Sequence, residues 1–118
     1  MLNDLLIVGS EAQNHHVQIF NLNKILEITE EEKPKTFDSV ADLEALWKGL
    51  PIGRTHNIVV NAAKNYAVSV GSTPRTSQFK SGLVFIDLED PTNPTLAGYQ
   101  GDDGYVHEYV LVSSPLLL

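Results

Sequence analysis

The sequence predicts an all-β fold: antiparallel β-propeller blades, one complete and four-stranded and two partial, with a short helical insertion. Three observations carry that expectation. First, segments of the chain echo one another. Val17-Gln18-Ile19-Phe20-Asn21-Leu22 returns as Leu83-Val84-Phe85-Ile86-Asp87-Leu88, Leu6-Ile7-Val8-Gly9 as Val68-Ser69-Val70-Gly71, and Thr55-His56-Asn57-Ile58-Val59-Val60 loosely as Val106-His107-Glu108-Tyr109-Val110-Leu111. A recurrence at roughly 50 to 65 residues with turn residues between the copies marks a modular β array. Second, Ile58-Val59-Val60 and Leu83-Val84-Phe85-Ile86 are apolar on both faces, where a sheet with one side in water would alternate. Third, Gly, Pro, Asn and Asp punctuate the apolar runs at turn positions.

Taken in order, Asp4 to Gly9 reads as a strand, and a second runs from about His16 to Leu22 after the polar stretch Ser10 to Asn14, so the two are expected to pair as a hairpin. From Asn23 to Arg54 the chain becomes charged. There Lys35-Thr36-Phe37 reads as a short edge strand, and Asp38-Ser39 as the cap of a helix carrying Val40, Leu43, Leu46 and Trp47 on one face, ended by Gly49 and Pro51. Strands then follow regularly at His56 to Asn61, Tyr66 to Gly71, Gly82 to Leu88 and Thr95 to Gln100. The last two are joined by Glu89-Asp90-Pro91-Thr92-Asn93-Pro94, where Asx side chains bond the backbone and proline fixes φ. After Gly101-Asp102-Asp103-Gly104, the segment Tyr105 to Val112 restarts the unit.

The chain thus reads as a single partial domain: residues 1–22 end one blade, 23–54 are the insertion, 55–100 are a complete blade and 101–118 begin the next. Closed propellers use about 4 to 8 blades. The expectation is a fragment of a longer chain, or a module that completes itself with other copies through exposed blade faces.

Composition narrows the partners. Fifteen acidic against eight basic residues give a net charge of -7, which repels phosphate backbones and anionic membrane surfaces and argues against nucleic-acid binding. Glu30-Glu31-Glu32 reads as a solvated loop, because adjacent carboxylates need a folded loop to converge on a cation. With no cysteine, neither disulfides nor thiolate metal sites support the fold. Met1-Leu2-Asn3-Asp4 lacks the basic start and long apolar stretch of a signal peptide, and the apolar run from Val110 to Leu118 is too short for a membrane span.

Gly9 to Phe20, Thr55 to Asn61 and Asp102-Asp103-Gly104-Tyr105-Val106-His107-Glu108 resemble motifs of the choice-of-anchor B proteins, which are LVIVD-repeat β-propellers. The core of that repeat is similar to Gly82-Leu83-Val84-Phe85-Ile86-Asp87-Leu88-Glu89-Asp90-Pro91-Thr92-Asn93-Pro94, a glycine-led strand ending in an Asp-Pro turn. The resemblance covers most of the chain outside residues 23 to 54. It implies a propeller that is extracellular or anchored at the cell surface, with no established reaction and no catalytic residue to carry over. Two departures stand out: such relatives often have cysteines near the positions of Tyr99 and Leu111, and they continue where this chain ends in Ser113-Ser114-Pro115-Leu116-Leu117-Leu118.

The histidines are the candidate chemistry. His56 and His107 hold equivalent places at the start of successive innermost strands, which brings them close to the axis of a propeller. With Asp102, Asp103 or Glu108 nearby they form a candidate site for a divalent metal such as zinc or calcium, since such sites gather several N or O ligands. Equally, each histidine suits a structural role, hydrogen-bonding a loop carbonyl of the neighbouring blade. His15 and His16 are adjacent, so on a strand they face opposite sides and do not chelate one ion together. With Glu11 and Asn14 they read as a polar loop cluster at a blade rim. Gly9-Ser10 and Gly71-Ser72 lack the full GxSxG pattern of a nucleophile elbow, and no phosphate-binding or dinucleotide fingerprint is present. The leading expectation is a non-enzymatic segment without cofactor that contacts another protein or its own copies. The alternative is a metal-dependent, hydrolase-like enzyme built on His56 and His107.

Overall fold

The computed structural model describes residues 4–109. Seven strands form two antiparallel sheets: β1 (Leu5–Val8), β2 (Val17–Asn21) and β3 (Ala45–Trp47) in the order β1-β2-β3, and β4 (Asn57–Asn61), β5 (Tyr66–Val70), β6 (Leu83–Asp87) and β7 (Thr95–Gln100) in the order β4-β5-β6-β7. The hairpin expected at the start is present, with Leu5 opposite Asn21 and Val8 opposite Gln18. In the second sheet each strand pairs with its neighbour in sequence, and Ala97 bulges out of β7 because Phe85 faces Gly98 while Ile86 faces Leu96. Among the described residues neither sheet closes on itself.

The strand alternation dictates one shared core. Leu5, Ile7, Val17, Ile19 and Trp47 of the first sheet pack in one cluster with Ala67, Val84, Ile86 and Leu88 of the second, and Ile58 and Val60 join its edge. Ser69 lies on the same face and is buried without penalty, because its hydroxyl stands 2.6 Å from that of Thr55, which also donates toward the Val70 carbonyl at 2.8 Å. Coverage of both faces is complete on β5, where Ala67 to Val70 are all buried; on β6 Val84 and Ile86 are buried while Leu83 and Phe85 are half-buried. The far face is roofed by residues 104–109. Val106 N–H bonds the Ser81 carbonyl at 2.9 Å, and Tyr109 sets its ring edge-on to Phe85 at 6.5 Å. The expected strand from Tyr105 forms no ladder through Tyr109, and its continuation over 110–112 lies outside the described residues.

The insertion departs from expectation. There is no helix over Asp38 to Trp47 and no strand over Lys35 to Phe37. Asp38 does act as a cap, its carboxylate accepting the Val40 and Ala41 amides at 2.7 Å each, but a single turn follows before Glu44 N–H bonds the Ile19 carbonyl and the chain joins β2 as β3. The open edge of β2 outweighs helix propensity, and the residues then read with period two: Trp47 buried, Leu46 outward. Helical structure lies earlier, as 3-10 turns at Leu22–Glu27 and Glu30–Glu32. Among the described residues no helix is long and apolar enough to cross a membrane.

Candidate functional site

Three segments bring polar side chains to one place. The β1–β2 loop carries Glu11, the entry to β4 carries His56, and the segment after β7 carries His107. The loop is tied to the chain that enters the second sheet: Asn14 N–H bonds the Ile52 carbonyl, His16 N–H the Gly53 carbonyl, and Thr55 N–H the Ser10 carbonyl, at 2.8–2.9 Å. That lacing sets Glu11 beside His56, with Oε1 of Glu11 2.8 Å from Nδ1 of His56. The His107 ring lies over that of His56, centroids 4.1 Å apart and planes tilted by 39°. The outer side of His107 faces Glu108, whose Oε1 is 3.5 Å from Nδ1.

Backbone geometry fixes this stack. Gly71, at φ +65°, lets the chain turn under His56 and Tyr105, where an added Cβ would stand 2.7 Å from the His56 Cβ and 2.8 Å from the Tyr105 hydroxyl. Tyr105 in turn lies under the Arg75 guanidinium, 4.7 Å from ring centroid to Cζ.

The cluster is polar and open to water. Side chains of Glu11 and His107 are each 62% exposed and that of His56 29%, so their charges are screened rather than focused. The hydrogen bond from His56, then its charge, hold the Glu11 carboxyl below its ordinary value against the opposing effect of burial, with Arg54 and His107 adding smaller contributions. A carboxyl held low in the folded state contributes stability that is present above its unfolded value, near 4.5, and is lost as pH falls through the folded value. The Glu11→Gln variant should therefore melt below the parent at neutral pH, and the gap should close as the solution is acidified below the ordinary carboxylate range. Paired thermal melts across pH check this.

The other sequence candidates are placed apart or differently. Asp103 is exposed on the Gly101–Gly104 turn, and among the described residues neither a hydrogen bond nor an ion pair joins it to a histidine. Within the loop cluster only Glu11 reaches His56. His15 Nδ1 contacts the His16 carbonyl at 2.7 Å, and His16 packs its ring on Gly53 with Nδ1 buried and unpaired. Burial, with Lys48 and His15 nearby, lowers the His16 pKa and favours the neutral ring. Glu11 as a partner of His56 was not legible in the sequence, since a separation of 45 positions carries no spacing signal.

Metal chelation needs ring nitrogens and carboxylate oxygens aimed at one point about 2 Å from each. Here His56 directs Nδ1 at Glu11 and the two imidazoles overlap by their rings. Among the described residues no group of three His, Cys, Asp or Glu side chains is placed to hold a metal ion. Ser72 is buried, and Ser10 accepts the Ala12 amide, so neither glycine-serine pair presents a nucleophile to the histidines. The arrangement joins three segments and can exchange protons at the surface.

A second feature lies on the far side of the first sheet. Leu6 and Phe20, opposite one another on β1 and β2, point away from the core and with Asn21, Leu22, Ile25 and Phe37 line an apolar cavity of about 250 Å³. Leu6, Leu46 and Ile25 stay 41%, 37% and 51% exposed there or beside it, while Ile86 on the second sheet is fully buried. Compared with known proteins, this chain matches no family model, no curated protein and no solved structure.

Proposed function

We propose that this chain is a segment of a β-propeller and serves as a non-enzymatic, protein-interacting or surface-associated structural module. The observation that carries the reading is the uncovered apolar face of the first sheet. Ile86 on β6 is the echo of Phe20 on β2; the one is sealed by the neighbouring sheet and the other faces the open groove. A contiguous apolar surface of this kind marks a place where something else docks. Supporting the propeller reading are the internal repeat, the four-stranded antiparallel unit and a core shared between consecutive sheets. The resemblance of Gly82 to Pro94 to LVIVD repeats extends it to an extracellular or cell-surface setting.

The second reading, a metal-dependent, hydrolase-like enzyme using zinc or calcium at His56 and His107, with Asp103 or Glu108 assisting, draws on the contact between the two rings. Thermal unfolding with and without Zn²⁺ or Ca²⁺ separates the two. The module reading expects a cooperative transition whose midpoint ignores both ions. A midpoint that rises with either ion, and stops doing so in His107→Ala, would overturn it in favour of the enzyme. Varying protein concentration in the same melts distinguishes copies of this chain from a different protein as the docked species, since self-assembly makes the midpoint concentration-dependent.

A further inference from the structure

The groove on the far face of the first sheet has a shape and a charge that together specify what fits it, and this step rests on the interaction reading above. At about 250 Å³ the cavity falls below the roughly 300–1,000 Å³ of small-molecule sites. It suits one large apolar anchor side chain, the kind of buried contact that dominates protein interfaces.

The rim is acidic. Phe37 belongs both to this cavity and to an adjoining one of about 300 Å³, where Glu27, Glu32 and Asp42 meet Lys24 and Lys35. Residues 22–44 hold seven carboxylates (Glu27, Glu30, Glu31, Glu32, Asp38, Asp42, Glu44) against three lysines (Lys24, Lys33, Lys35), a net of -4. Two of those lysines are already engaged, Lys33 with Glu30 at 2.6 Å and Lys24 with the Asp42 carbonyl at 2.9 Å. Among the described residues Glu27 and Glu31 have no cationic partner. A second copy of this chain would bring the same acidic rim and a net charge of -7 to the contact, which disfavours it as the occupant.

We infer that the groove lined by Leu6, Phe20, Leu22, Ile25 and Phe37 docks a segment of a different protein that presents an apolar anchor flanked by lysine or arginine. The apolar side chain fills the cavity beside Phe37, and the flanking cations lie against Glu27, Glu31 and Glu32. Opposite charges at the rim set which partner is accepted and how fast it arrives, and salt weakens them.

The test is a fluorescence anisotropy titration with a labelled synthetic peptide that has a Leu-Phe-Leu core and two lysines at each end. A second peptide has glutamates in their place. The lysine peptide should bind saturably and at least tenfold more tightly than the glutamate peptide, with the difference shrinking as salt is raised. Ile25→Asp, at a position 51% exposed, should remove binding, and Glu27→Lys with Glu31→Lys should reverse the peptide preference. Absence of saturable binding, equal binding of both peptides, or binding that survives Ile25→Asp would each overturn the assignment. So would self-association in sedimentation velocity that Ile25→Asp abolishes, since the occupant would then be a copy of this chain. Failure in any of these ways with no response to metal would leave the module reading standing, whereas a metal response would remove that reading itself.

Discussion

Replacing Ile86 by alanine is expected to lower the free energy of unfolding by about 2–5 kcal/mol, the range for emptying a fully buried aliphatic site. Ile86 is inaccessible to solvent, pairs with Ala67 on one side and Leu96 on the other, and belongs to the cluster that joins the two sheets. Its backbone neighbours are held by two ladders, so the hole cannot close by moving β6, and the loss is the transfer energy of the removed atoms plus the cavity left behind. Urea denaturation measures it. Leu26→Ala is the control, at a position 83% exposed on the insertion, and should change stability by less than about 0.5 kcal/mol. If the two variants were equally mild, the shared core between the sheets would not be what holds this chain together.

The strands of the second sheet were legible in the sequence because each is bounded by turn residues and filled with β-branched and aromatic side chains; predicted and observed limits agree to within one residue at every end. The insertion was not legible. Val40, Leu43, Leu46 and Trp47 satisfy a helical period as well as Ala45 and Trp47 satisfy a strand period, and only the vacant edge of β2, a tertiary fact, decides between them. Register was the other hidden quantity. The echo aligns Leu6 with Val68, yet Ile7 pairs with Ile19 and Val68 with Phe85, and since Ile19 echoes Phe85, it is Ile7 that takes the place of Val68. A one-residue slide of a degenerate apolar run costs nothing in sequence similarity and reverses every side chain in space.

The polar cluster divides the same way. That His56 and His107 occupy equivalent repeat positions is written in the sequence, and their rings meet at 4.1 Å. Their partner Glu11 comes from a loop positioned only by its bonds to Ile52, Gly53 and Thr55, and no local pattern announces those. The acidic groove shows the opposite balance. Its charge is plain from Glu27 to Glu44, whereas its floor depends on Leu6 and Phe20 facing away from the core and on Phe37 folding back over them.

Gly71→Val is expected to cost at least about 2 kcal/mol and to open the histidine stack. Two separate penalties act there. At φ +65° any L side chain is strained, by about 1–2 kcal/mol and more for a β-branched one. In addition its Cβ would lie closer to the His56 Cβ and the Tyr105 hydroxyl than packed atoms approach, so either β4 or the 104–109 segment must shift. The segment is the softer of the two, anchored by the Val106–Ser81 bond, the edge-on contact of Tyr109 with Phe85 and the Arg75–Tyr105 contact rather than by a ladder. Its displacement would carry His107 off His56 and Tyr109 off Phe85. Asparagine separates the penalties, because it tolerates positive φ but still has a Cβ. The expected order of stability is the parent, then Gly71→Asn, then Gly71→Val. Both variants should shift the imidazole proton resonances of His56 and His107, which sense each other's ring currents. If Gly71→Asn matched the parent in urea and kept those shifts, the close approach at Gly71 would not be what seats the roof on the second sheet.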